Sequence, residues 1–145
     1  LEEVKDSGEK VLFIFDDVIA DIRGNGKGAI ENLLQKIFFN RRHLAGAGGS
    51  VSIIATSQTY NKIDPKLRKT ASQVVYYQNS NKKEQDSIFD EMILIPRKEF
   101  EEVKKYIYDK KHNFMYIDTT LPDNLQIHKN FNQLIITSPN ITDYQ

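Results

Sequence analysis

The stretch VLFIFDDVIADI, residues 11–22, decides how this chain is read. Its first five residues are apolar without alternation, the pattern of a central parallel strand covered on both faces. Asp16 and Asp17 close the run, and a carboxylate leaving a buried strand is costly unless it is paired, ligated or solvated. Ligands of open parallel sheets bind beyond the carboxyl ends of the strands, so the two acids stand where chemistry is placed. In a nucleotide hydrolase the first acid holds Mg²⁺ and the second orients or deprotonates the attacking water. The structural alternative is one aspartate capping the next turn and the other solvated.

Working outward, DIRGNGKG (21–28) is a polar, glycine-rich turn. Ile30, Leu33, Leu34, Ile37 and Phe38 then recur at the helical period, which predicts an amphipathic helix over residues 27–41. Arg41, Arg42 and His43 close it, at the negative end of its dipole. VSIIAT (51–56) is a second buried run, so the unit reads strand, helix, strand, a crossover that is almost always right-handed between parallel strands. IIATSQ puts Thr56, Ser57 and Gln58 at the end of that second strand. A neutral amide there can position water or sense a γ-phosphate without adding charge, the alternative being a polar loop start.

Asp64-Pro65 is a cap followed by proline at the first helical position, so KLRKTA forms a short helix. QVVYY (73–77) is a third strand, and NKKEQDSIFDEM is a helix. Pro96 introduces another helix running to about Lys111, with Phe100, Val103 and Ile107 inward. FMYID and LQIH, separated by TTLPDN, form a terminal hairpin. With no repeat, low-complexity tract or linker, residues 1–145 read as one α/β domain.

Composition bounds the function. The 145 residues are 39% hydrophobic and 10% aromatic, enough for a core. Twenty basic and twenty acidic side chains cancel, so no global field draws in nucleic acid or an anionic membrane, and any DNA contact is local. The absence of cysteine excludes disulfides and thiolate metal sites. No run has the length of a membrane span and no signal-peptide pattern opens the chain, so a soluble, intracellular protein is expected. His43, His112 and His128 lack metal-ligand spacing; Lys104, Lys105, Lys110 and Lys111 alternate with Glu101, Glu102 and Asp109 as on a solvated helix face. The start at Leu1, close to a buried strand, suggests a processed or truncated protein.

These blocks carry a resemblance. VLFIFDDVIADI resembles a Walker B segment of the FtsK-HerA superfamily, and IIATSQ, with the short helix bearing Arg68, resembles that superfamily's sensor strand. LLQKIFFNRRH, SIIATSQTYNKIDPKLRKTASQVVYY and KHNFMYID with HKNF together resemble the genome-packaging ATPases of poxviruses, other large DNA viruses and virophage or polinton-type elements. The likeness spreads over residues 11 to about 135.

The resemblance implies an ATP-driven motor, dependent on ATP and Mg²⁺, that translocates double-stranded DNA into a capsid. It implies a homo-oligomeric ring, hexameric in such motors, capsid or other virion proteins as partners, and a location in the host cytoplasm, a virus factory or the virion. The implied fold is α/β, a P-loop NTPase-like (RecA/FtsK-like), mostly parallel sheet flanked by helices and ending in a C-terminal β-hairpin. Carried over by residue, Asp16 takes the metal role, Asp17 the catalytic base role (where relatives often have Glu), and Gln58 the sensor role. Arg41 or Arg42, and Arg68, are the candidates for an arginine completing a neighbouring subunit's site, Arg42 and Arg68 being preferred within the family-like blocks.

The pattern breaks at the phosphate cradle, G-x-x-x-x-G-K-[ST], which the sequence lacks. GNGKGAI (24–30) is not one: residue 21 is Asp21, Gly28 follows Lys27, and the segment comes after the Walker B strand. The chain therefore reads as the C-terminal part of a larger ATPase core, without its P-loop strand and helix and inactive alone. Two other readings stand beside the motor: a non-catalytic structural or DNA-binding subunit, and a Mg²⁺-dependent phosphoacceptor domain resembling response-regulator receivers. The last would place a lysine at a later strand end, whereas VVYY leads to Gln78, Asn79 and Ser80.

Overall fold

The computed structural model describes residues 2–17, 29–137 and 140–143; side chains of 29–32, 137 and 140–143 are left aside. The glycine-rich turn over 21–28 and the VIADI end of the opening stretch lie outside the described residues. The chain forms two compact units, residues 1–70 and 71–145.

In the first unit, β1 (Lys10–Phe15) pairs in parallel with β2 (Ser50–Ala55), from Lys10 opposite Ser50 to Phe15 opposite Ala55. Helix α1 (Ala29–Leu44) makes the crossover, starting and ending slightly later than its sequence pattern. Phe38 of α1 and Leu67 are buried, with Phe15, Leu34, Ile53 and Ile63 packed against them. Leu67 lies on the short helix α2 (Pro65–Arg68), capped as expected: the Asp64 carboxylate accepts from the Lys66 N–H at 2.7 Å, with proline in the first turn. Between α1 and β2 the chain reverses through Gly46, in the left-handed region at φ +72°, and Gly49, where a Cβ would stand 2.6 Å from the Ala45 Cβ.

The expectation of a central strand covered on both faces fails in β1. Val11, Phe13 and Phe15 turn toward the core, whereas Leu12 and Ile14 on the other face are 52% and 65% exposed, and Ile54 of β2 is 52% exposed beside them. Among the described residues, β1 pairs with β2 alone. An unbroken apolar run looks the same whether its second face is covered or open, so composition could not separate the two cases.

The second unit overturns the mostly parallel, P-loop-like sheet. β3 (Gln73–Tyr77) does not join β1 and β2; it pairs antiparallel with β4 (Phe114–Asp118) in a separate sheet. The physical reason is the connection. One helix between strands returns the chain parallel, but β3 and β4 are separated by two, α3 (Lys82–Met92) and α4 (Arg97–Ile107). These helices run antiparallel, with Phe89 on Phe100 at 5.2 Å between ring centroids and Arg97 bonded to Asp86 and Asp90. The double excursion reverses the strand direction.

FMYID and LQIH do lie side by side, as β4 and β5 (Ile127–Lys129), but their hairpin is not the end of the fold. β6 (Asn132–Thr137) adds to β5, and β7 (Asn140–Asp143) forms a further hairpin with β6, giving the order β3-β4-β5-β6-β7. Phe100, Val103 and Ile107 are buried as their spacing predicts, in a core with Ile88, Met115, Ile117, Ile127 and Leu134. Helix α4 stops at Ile107, short of Lys111, and His112 sits in the following turn with φ +71°.

Candidate functional site

Parallel pairing makes β1 and β2 end on the same edge, and there the chain gathers its acids. The ladder continues one bond past the strands, the Thr56 N–H donating to the Phe15 carbonyl at 2.9 Å. From that fixed point the Thr56 hydroxyl donates to Asp16 Oδ1 at 2.6 Å and accepts from the Asp17 N–H at 2.9 Å. Asp17 is left-handed at φ +54°, a conformation in which a non-glycine residue is uncommon. Its carboxylate is held by Gln58: the side-chain amide donates to Oδ2 at 2.7 Å and the backbone N–H to Oδ1 at 3.4 Å.

Asp16, Asp17, Thr56 and Gln58 are exposed, so water or a ligand has access. Among the described residues Asp16 Oδ2 accepts no hydrogen bond, which leaves a hard carboxylate oxygen open on the rim. Such an oxygen suits Mg²⁺, a cation that keeps most of its waters and takes only one or two protein carboxylates. No group of three or more His, Cys, Asp or Glu able to hold a metal occurs among the described residues, so an ion here would draw its other ligands from water or phosphate. Ser57 does not join; its hydroxyl donates to the Thr59 carbonyl within its own turn.

The arginines lie elsewhere. Arg68 is 8% exposed, its guanidinium 4.6 Å from the centroid of the Tyr60 ring and its Nη1 donating to Asn61 Oδ1 at 3.1 Å. Those contacts tie α2 to the loop that follows Gln58. Arg42 is exposed on α1, while its neighbour Arg41 donates to the Phe38 and Thr70 carbonyls, both at 3.0 Å. Among the described residues, no hydrogen bond joins Arg42 to the carboxylates.

The second unit offers a different concavity, of about 400 Å³, bounded by Tyr76, Gln85, Lys104 and Tyr108. Its lysines are paired, Lys104 with Glu101 at 2.9 Å and Lys105 with Glu102 at 2.8 Å; Lys105 is exposed, whereas Lys104, expected on a solvated helix face, is half-buried and also donates to Gln85 Oε1 at 3.1 Å. Burial, aided by the neighbouring Tyr76, pushes the Tyr108 phenol far above its usual range, and its hydroxyl donates to the Tyr76 carbonyl at 3.0 Å. His128 is buried with its ring edge-on to Tyr116, 4.9 Å between centroids, a packing role.

Comparisons with protein-family models, with curated proteins and with solved structures return no match. The site must therefore be read from its own geometry. Thr56 is the member that the sequence identified by position without assigning it a role. The signal was a hydroxyl at the end of the strand adjacent to two acids, and it needed the β1–β2 register to become specific.

Proposed function

We propose that the ends of β1 and β2 form the Mg²⁺-binding and water-positioning half of a nucleotide-hydrolysing site, in an ATP-driven motor acting on double-stranded DNA. The observation that supports this reading most is the meeting of Asp16, Asp17 and Gln58 at one strand edge, with Asp16 Oδ2 open and Asp17 held by a neutral amide. Bound Mg²⁺ would supply charge neutralisation at a phosphate oxygen. Asp16 would carry the ion. Asp17 would accept the proton of an attacking water, and Gln58 would keep its carboxylate facing that water.

The DNA substrate, the ring of like subunits and the capsid partner rest on the resemblance of the quoted sequence blocks alone. No helix among the described residues is long and apolar enough to cross a membrane. The sequence holds no G-x-x-x-x-G-K-[ST] cradle for the β and γ phosphates, so this reading assigns the chain only the metal and water side of an ATP site.

The test is ATP turnover by the protein as its source produces it. Asp17→Asn keeps the shape but removes the base, and its amide NH2 can no longer accept from one of the two Gln58 donors; turnover should fall by about 10²-fold or more while nucleotide binding persists. Undiminished turnover would remove Asp17 from this role. A native protein that binds no nucleotide with Mg²⁺ would favour a structural subunit.

A further inference from the structure

We infer that Thr56 is the positioning residue of this site, a single hydroxyl that sets both carboxylates. The inference rests on the Mg²⁺ reading above and adds the side chain that aims the ligand. A threonine hydroxyl has one proton to give, and here it goes to Asp16 Oδ1 at 2.6 Å while the oxygen accepts from the Asp17 N–H at 2.9 Å. Accepting from an amide polarises the hydroxyl and strengthens its donation.

Two consequences follow for the acids. With Oδ1 pinned, the Asp16 carboxylate cannot rotate freely, and Oδ2 is the oxygen offered outward. With its N–H held by Thr56, Asp17 keeps the left-handed backbone, φ +54°, in which its carboxylate meets the Gln58 amide. Thr56 is itself fixed, because its own N–H is the next rung of the β1–β2 ladder. β-Branching restricts its χ1 as well, so the hydroxyl is held in place before any ligand arrives. Valine would match this shape without the proton; serine would keep the proton without the methyl.

Mn²⁺ shares the oxygen-ligand preference of Mg²⁺ and broadens nearby NMR signals, so it serves as the probe. The full chain, ¹⁵N-labelled, would be titrated as wild type, Thr56→Ser, Thr56→Val and Asp16→Asn. Wild type should broaden at Asp16, Asp17 and Thr56, and Thr56→Ser should follow it within about twofold, whereas Thr56→Val should need about tenfold more Mn²⁺, the cost usual for losing a residue that orients a metal ligand. The Asp17 amide should also lose its exchange protection in Thr56→Val and keep it in Thr56→Ser. Val matching wild type, or Ser failing as Val does, would overturn the inference while leaving the metal reading intact, provided Asp16→Asn abolishes the broadening. Wild type without broadening at these strand ends would overturn both.

Discussion

The Gln58 side-chain amide donates to Asp17 Oδ2 at 2.7 Å, joining the loop after β2 to the second residue past β1. The pair exists because the two strands are parallel and in register to their last residues, Phe15 opposite Ala55. A glutamine there orients the Asp17 carboxylate without setting a second charge beside it. Gln58→Glu would set one carboxylate against another at hydrogen-bond distance. In the protein as its source produces it, ATP turnover should then drop by about 10²-fold, the scale of losing one preorganised donor. Single-turnover kinetics with nucleotide binding measured in parallel checks this; unchanged turnover would detach Gln58 from the chemistry.

The strand-helix-strand unit was legible because its signals are local: an apolar run, a helical period, a second apolar run. The same holds for the Asp64-Pro65 cap and for Phe100, Val103 and Ile107. Sheet membership was not legible. VLFIF and QVVYY look alike as sequences, yet one pairs in parallel and the other antiparallel in a separate sheet, because only the connecting elements fix strand direction. β6 and β7 were missed since NQLIIT and NITD follow a segment that already read as a closing hairpin. At the site, Asp16, Asp17 and Gln58 were identified from position, whereas the part Thr56 plays depended on a register that no short pattern encodes.

Gly49 should tolerate no side chain. A Cβ there would stand 2.6 Å from the Ala45 Cβ, 2.7 Å from the Ala45 carbonyl oxygen and 2.8 Å from that of Glu9. Backbone would have to move, and Gly49→Ala should cost on the order of 1–3 kcal/mol, as overpacking generally does. The urea midpoint of the first unit's transition reads this; a midpoint equal to wild type would show that the α1–β2 loop shifts freely.

The second unit should weaken in acid. Burial alone would raise the Asp118 carboxyl, but hydrogen bonds from the Thr120 side chain and N–H, Gln73 and Tyr116 together lower it. Asp109 is lowered as well, first by its hydrogen bond from Lys129. Carboxyls depressed by folding add stability that is fully present above their unfolded value, about 3.9 for aspartate, and is lost as the pH falls through the lower folded value. Thermal unfolding followed from pH 6 downward should therefore show a decline below about pH 4 that Asp118→Asn flattens. A variant as acid-sensitive as wild type would assign the decline to other groups.

Ile14 is apolar but open, 65% exposed on the far face of β1. Ile14→Thr keeps β-branching and strand propensity, so it should change stability by no more than about 0.5 kcal/mol, the range of surface substitutions. The same change at the inward Phe15, packed on Phe38 at 5.6 Å between ring centroids, should cost several times more. A large loss at Ile14 in the urea transition would mean that this face is covered in solution.

The most direct measurement is a Mn²⁺ titration of the ¹⁵N-labelled chain, wild type against Asp16→Asn. The account predicts that wild-type broadening is centred on Asp16, Asp17 and Thr56 and disappears in the variant. Broadening that ignores the substitution, or that gathers instead at another acidic surface such as Asp86 and Asp90, would contradict a metal site at the ends of β1 and β2.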